Sequence, residues 1–348
     1  MKDKNPKWID KFKLPLIIAG PCSAESKEQV LQTAKEIKNP FIQVFRSGIW
    51  KPRTSPTSFQ GVGESALDWL IEARKQTGLL LAIEVAHAHH IKEAIKYDID
   101  ILWIGARSTT NPFILEEIAN LLENTSKIIL IKNPIHPDLD AWIGAIERFD
   151  KKGIKNIGVI HRGFFTHKES SFYRNPPFWS IALAFKKKYP EIPILCDISH
   201  ICGNRDYLLH IAKKAIALNY DGFMIEAHIQ PENALSDAQQ QITPKELEKL
   251  LEELLLLYNK RKEEINHNKE RDEQKRQMDD LTIQLEDFDH SLLSTLKERI
   301  RFVNKEKGAD IKKVLSKNYY KKLAKEINLS ENFITSLLEQ IGNYSKEN

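Results

Sequence analysis

At 348 residues the chain has room for a domain of about 250 residues plus a smaller one. Its 41% hydrophobic content supports a real core, and 29% charged residues is slightly high for a soluble protein. A formal net charge of +4 is too small for a dedicated nucleic-acid binder, which would carry a basic face with interleaved aromatics.

Taken in chain order, Met1 to Trp8 holds no apolar core of a signal peptide, and no run of about 18 apolar residues follows, so the reading is no leader and no membrane span. The three cysteines, Cys22, Cys196 and Cys202, suit a reducing cytoplasm in which thiols serve as ligands or core residues. Eight short apolar runs then recur: Leu16–Ala19, Ile42–Phe45, Leu79–Ile83, Ile101–Ile104, Ile128–Ile131, Ile157–Ile160, Pro193–Cys196 and Gly222–Ile225. They lack polar alternation, as parallel strands buried on both faces do. Amphipathic stretches lie between them, including Lys27–Ile37, Glu64–Gln76, Phe113–Asn124, Leu139–Phe149, Pro177–Lys188 and Arg205–Leu218. Eight such units over about 250 residues predict a (β/α)8 barrel. The alternative, an open doubly wound sheet, lacks the Gly-x-Gly-x-x-Gly turn after its first strand that a dinucleotide fold would carry. Leu247 to Leu257 supplies an eighth helix, Lys260 to Asp280 is a charged helical or flexible linker, and a small all-α region follows. The expected divisions are 1–258, 259–280 and 281–348.

In such a barrel the site sits at the C-terminal strand ends. The residues there are Cys22, Arg46 with Lys51 and Arg53, Glu84, Arg107, Lys132, Arg162, His200, and Glu226 with His228. Every strand end offers a polar or ionisable group. Cations beside buried strands need anions, so Arg46, Lys51, Arg53, Arg107, Lys132 and Arg162 point to a substrate with several phosphate or carboxylate groups. Cys22, His200, Glu226 and Asp237 make a mixed soft and hard donor set that suits Mn, Fe, Co or Zn rather than Mg. Spacing alone does not identify a metal site, since the four span some 200 residues. Lys51-Pro52-Arg53-Thr54-Ser55-Pro56 puts two cations and two hydroxyls in a proline-stiffened loop, either a phosphate holder or an ordinary solvated turn.

Gly20-Pro21-Cys22-Ser23-Ala24-Glu25-Ser26, Lys51 to Pro56 with Phe59-Gln60-Gly61, Gly105-Ala106-Arg107, Asp197-Ile198-Ser199-His200, and Met224 to His228 through Ala234-Leu235-Ser236-Asp237 occur in that order. Together they resemble the short, type Iβ class of DAHP synthases, over about residues 10 to 245. The resemblance implies condensation of phosphoenolpyruvate with erythrose 4-phosphate and release of phosphate, the first step of the shikimate pathway. By motif it implies metal ligands Cys22, His200, Glu226 and Asp237, with Cys22, Lys51 and His200 central to catalysis. It gives Arg46, Lys51, Arg107, Lys132 and Arg162 to phosphoenolpyruvate, and Arg53, Thr54 and Ser55 to the second substrate's phosphate. Two departures stand out: Asn133-Pro134 after Lys132, and His161 before Arg162 where many members have Glu.

From Leu281, the periodicity Leu285, Phe288, Leu292, Leu293, Leu296, Ile300, Val303 marks a second long amphipathic helix. Shorter helices are expected over about Tyr319–Ile327 and Glu331–Tyr344, the latter capped by Ser330. This tail resembles the all-helical class of chorismate mutases. Of its cations only Arg299 matches; Thr282 and Asp310 stand where basic residues belong, with Lys312 or Lys313 the nearest substitutes, and Tyr319 falls near the second-helix arginine. The resemblance with these losses implies a degenerate mutase domain that supports homo-oligomerisation or senses chorismate or prephenate; the alternatives are a domain with residual mutase activity and, for the chain as a whole, a non-catalytic scaffold barrel.

Overall fold

The computed structural model describes residues 7–53, 55, 57–166, 173–267, 272–305, 322, 324–327, 329–337 and 340. Eight parallel strands close on themselves in sequence order: β1 Leu16–Gly20, β2 Ile42–Arg46, β3 Leu80–Val85, β4 Ile101–Ile104, β5 Ile128–Lys132, β6 Ile157–His161, β7 Ile194–Asp197 and β8 Gly222–Glu226. Every residue of β1, β4, β6, β7 and β8 is buried, which is why these segments read as unbroken apolar runs. The open-sheet alternative is excluded by the pairing of β1 with β8, in register from Leu16 opposite Gly222 to Gly20 opposite Glu226.

Around the barrel lie α1 Lys27–Glu36, α2 Ser65–Thr77, α3 Ala88–Lys96, α4 Pro112–Leu121, α5 Leu139–Lys151, α6 Trp179–Lys188, α7 Ile198–Cys202, α8 Leu208–Ala217 and α9 Pro244–His267. Their starts follow local chemistry. Ser26 accepts from Gln29 N, Asp138 from Ala141 N, and Asn111 from Phe113 N and Ile114 N ahead of Pro112. Such caps contribute about 1 kcal/mol each. Two helices were not foreseen. The histidines at 87, 89 and 90 hide α3, whose buried face is Ile91 and Ala94. The one-turn α7 is formed because the Asp197 side chain accepts from His200 N.

The core runs down the barrel axis through Leu16, Ile18, Val44, Ala82, Ile101, Trp103, Leu130, Ile160, Leu195 and Met224. Trp8 and Ile9, on a single helical turn before β1, close its N-terminal end. Trp8 Nε1 donates to Ile157 O at 2.8 Å, so the buried indole keeps its hydrogen bond.

The chain divides near Leu281 and Thr282 into two compact units. The helix α10 (Asp272–Lys305) runs through this division, and its part in the second unit buries Ile283 and leaves Leu285, Phe288, Leu292, Leu293 and Phe302 exposed. Ser330 Oγ accepts from Phe333 N at 3.3 Å, capping the next helical segment. The expected substitutes Lys312 and Lys313, together with Asp310 and Tyr319, lie outside the described residues. Among those described, no helix is long and apolar enough to cross a membrane.

Candidate active site

Barrel closure sets the first strand beside the last, and that juxtaposition builds the centre of the site. Cys22 follows β1, Glu226 ends β8, and Asp237 sits on the loop after β8 in a left-handed backbone conformation, φ 50°. Ligand atoms of these three residues all lie within 4.8 Å of one another. Cys22 Sγ is 3.2 Å from Asp237 Oδ2. His200, the fourth expected ligand, stands beside this group rather than within it. Its Nδ1 is 2.8 Å from Asp197 Oδ2 and 3.8 Å from Glu226 Oε1.

Each acid is conditioned by its surroundings. Burial pushes the Cys22 thiol up to about 12, with Glu226 adding to the shift and Lys51 opposing it. Burial also opposes the charges on Glu226 and Asp237, but neighbouring basic groups prevail. His200 and Arg46 hold Glu226 low, and Arg174 and His200 hold Asp237 well below the carboxylate range. The donor set is therefore two carboxylates and a thiol that would lose its proton when a metal ion binds the sulfur. Glu226 Oε1 is buried and accepts no hydrogen bond, although Arg46 Nη2 is 3.1 Å away. A thiol and two carboxylates converging on one point, one oxygen left open, fit a divalent transition metal.

The cations surround this group. Arg46, 1% exposed, lies over the Trp103 ring at 5.0 Å. Its Nε and Nη1 are buried without a hydrogen-bond partner. Lys51 Nζ donates to Cys22 O at 2.9 Å and reaches Cys22 Sγ at 3.0 Å. Burial opposes that charge, and Cys22, Glu84 and Glu226 override it, so Lys51 keeps its proton. Gly48 makes room for this: a Cβ there would stand 2.7 Å from Cys22 O and 2.8 Å from Lys51 Cδ. Lys132 Nζ donates to Asp197 Oδ2 at 2.8 Å. Arg162 Nη1 donates to Asn175 Oδ1 at 2.8 Å, and burial lowers its pKa to about 10 with Arg174 and Arg107 adding to the effect. Arg107 is exposed past β4.

In the loop after β2, Arg53 Nε donates to Phe59 O at 3.0 Å and its Nη1 lies 3.9 Å from Asp237 Oδ2. Ser55 Oγ is exposed and shares a 2.8 Å hydrogen bond with Thr57 Oγ1. Thr54 lies outside the described residues.

Several residues the motifs did not single out hold the site together. Asp197 orients His200 and neutralises Lys132. Gln240 Nε2 donates to Glu226 Oε2 at 2.6 Å, and Gln241 Oε1 accepts from Cys22 N at 2.9 Å. Glu25 Oε1 accepts from Leu235 N at 2.9 Å, and Ser23 Oγ meets Ser236 Oγ at 2.5 Å, fixing the loop that carries Asp237. Asp197, Glu25, Ser23 and Ser236 fall inside the quoted motifs, the signal available for them. Gln240 and Gln241 had none.

The same segments appear in known proteins. The sequence profile of the DAHP synthetase I family matches residues 10–262. The phospho-2-dehydro-3-deoxyheptonate aldolase of Thermotoga maritima is 33% identical over 238 residues, 68% of each chain. The 2-dehydro-3-deoxyphosphooctonate aldolase of Wolinella succinogenes is 26% identical, covering 70% of this chain and 98% of its own. A crystal structure of the T. maritima DAHP synthase superposes with a TM-score of 0.63 at 32% identity, covering 70% of this chain and 69% of that one. This chain is a member of the DAHP synthetase I family, an aldolase-type enzyme.

Proposed function

We propose that the barrel condenses phosphoenolpyruvate with erythrose 4-phosphate to give DAHP and phosphate, using a divalent metal held by Cys22, Glu226 and Asp237 with His200 alongside. The observation that carries this reading is Arg46. Two nitrogens of a buried guanidinium lack partners there, each costing about 1–3 kcal/mol, beside three converging metal donors. An oxyanion of the substrate is what would satisfy them.

Arg46, Lys132 and Arg162 would clamp the phosphate and carboxylate of phosphoenolpyruvate, with Arg107 at the rim. Arg53 and Ser55, with Thr54, would take the phosphate of the sugar. Positioning and charge neutralisation are the main contributions of such a clamp. A bound dication would supply Lewis-acid polarisation of the aldehyde. The methylene carbon of phosphoenolpyruvate forms the new bond to the aldehyde carbon, and Lys51, protonated at Nζ, donates to the oxygen that becomes a hydroxyl. Water then adds at C2 of the former enol phosphate, and inorganic phosphate leaves by cleavage of its C2–O bond.

A second reading is favoured by the relatives named for phosphooctonates: the same clamp would accept a five-carbon phosphosugar in place of erythrose 4-phosphate. The test is phosphate release by the full chain with each sugar, with and without chelator. Erythrose 4-phosphate is expected to be the better substrate, chelator to abolish turnover, and Cys22→Ala to prevent rescue by added metal. Full turnover in chelator would remove the metal assignment, and faster turnover of the pentose phosphate would install the second reading.

For the region from 281 we propose a degenerate mutase domain that supports homo-oligomerisation or senses chorismate or prephenate in a cytoplasmic enzyme. It rests on the match of Arg299 and the loss of the other cations. Chorismate conversion by the full chain at a rate approaching that of the condensation would refute it.

A further inference from the structure

Arg174, on the connection between β6 and α6, belongs to none of the motifs, yet it contacts Asp237 directly and reaches Glu226 through Gln240. Its Nη1 donates to Asp237 Oδ1 at 2.7 Å and to Gln240 Oε1 at 2.8 Å. Gln240, 1% exposed, passes the contact on, since its Nε2 donates to Glu226 Oε2 at 2.6 Å. Asp237 is thus held by one oxygen, Oδ1, while Oδ2 is turned toward Cys22 Sγ at 3.2 Å. The amide of Gln240 is committed at both ends, so it cannot rotate without losing one charge-assisted bond.

The backbone of Arg174 is itself fixed to the element that carries His200. Arg174 N donates to Cys202 O at 3.2 Å, Asn175 N to Ile201 O at 3.2 Å, and Asn175 Nδ2 to His200 O at 2.6 Å. Gly203, at φ 70°, leaves the space for this: a Cβ there would lie 2.3 Å from Arg174 Cβ. Asn175 also accepts from Arg162, so the same two residues connect the phosphate clamp to the metal donors.

We propose that Arg174 is a positioning residue of the metal site, aiming Asp237 directly and Glu226 through Gln240 so that one oxygen of each faces the ion. This rests on the metal reading given above. Repulsion of the ion by the guanidinium opposes the effect. With 49% of the Arg174 side chain exposed, that repulsion is screened by water, while the two short hydrogen bonds are local. Positioning therefore wins. Outer partners of metal-bound groups typically contribute about 10- to 100-fold in metal affinity.

The test uses Co2+ binding to the full chain, read by affinity and by the thiolate-to-cobalt absorption band that only Cys22 can supply here. Arg174→Met, which keeps the aliphatic stem, should weaken binding about 10- to 100-fold and shift the visible cobalt bands. Arg174→Lys should recover part of the loss, because one ammonium restores the Asp237 contact. Gln240→Leu should weaken binding too, and its combination with Arg174→Met should cost less than the sum, since the two act in series. Circular dichroism confirms the fold of each variant; if Arg174→Met fails to fold, Arg174→Lys and Gln240→Leu still decide. Unchanged or tighter Co2+ binding in the folded variants, with Cys22→Ala abolishing the thiolate band, overturns the role of Arg174 alone. Equal binding by the parent and Cys22→Ala, with no thiolate band in either, overturns the metal reading itself.

Discussion

His161 is the group through which mild acid should loosen the barrel. It ends β6, is completely buried, and is enclosed by the rings of Trp142, Phe164, Trp179 and Tyr220. Pro177 O, 2.6 Å from Nε2, can only accept, so Nε2 carries the proton and Nδ1 accepts from Tyr220 OH at 2.8 Å. A second proton on Nδ1 would force the Tyr220 hydroxyl to turn and would leave a charge among buried rings. Burial lowers the pKa from 6.5 to about 4; the Pro177 carbonyl partly opposes this and Arg162 adds to it. The unfolded chain protonates this histidine at about 6.5 and the native state at about 4, so between those values the unfolded state holds more protons. Stability is therefore complete above about pH 6.5 and is lost as pH falls toward 4. The full term is about 3 kcal/mol, of which about 2 kcal/mol is gone by pH 5, or roughly 4–8 °C in melting temperature. Thermal melts of the parent and His161→Gln at pH 7.5 and 5.0 isolate it, because every other titrating group is common to both. The parent should lose about 2 kcal/mol more than the variant between the two pH values. Equal losses, or a native His161 pKa near 6.5 by NMR, would refute the reasoning.

Trp8→Ala should destabilise the barrel by about 3–5 kcal/mol in urea unfolding, because it opens the N-terminal end of the core and frees Ile157 O. Lys132→Met removes the ammonium 2.8 Å from the buried Asp197 carboxylate, leaving it with His200 alone among the contacts named above, and should cost about 3–5 kcal/mol of stability. It should also raise the KM for phosphoenolpyruvate. Arg46→Lys keeps the charge facing Glu226 but gives up the planar fork of donors, so phosphoenolpyruvate affinity measured by calorimetry should fall about tenfold or more.

What the sequence disclosed and what it withheld divide along a physical line. The strands were legible because five of the eight are buried throughout and the others nearly so, and such runs betray themselves by composition. The cations at the strand ends were legible for the complementary reason: charge next to an apolar run has to be explained by something outside the run. Trp8 withheld its role because a short turn of mixed residues carries no periodicity, and only contact with Gly158 and Ile157 shows that it fills the barrel end. Gln240 and Arg174 withheld theirs for another reason. Each acts on a residue from a different element, and nothing near them in sequence records that. The donor group itself shows the limit most clearly. Cys22 and Glu226 are 204 positions apart, yet Gly20 pairs directly with Glu226 across β1 and β8. In an open sheet these strands would not pair at all. The site thus depends on closure: eight apolar runs had first to be read as a ring before a cysteine near one end of the chain and a carboxylate far along it could be understood as neighbours.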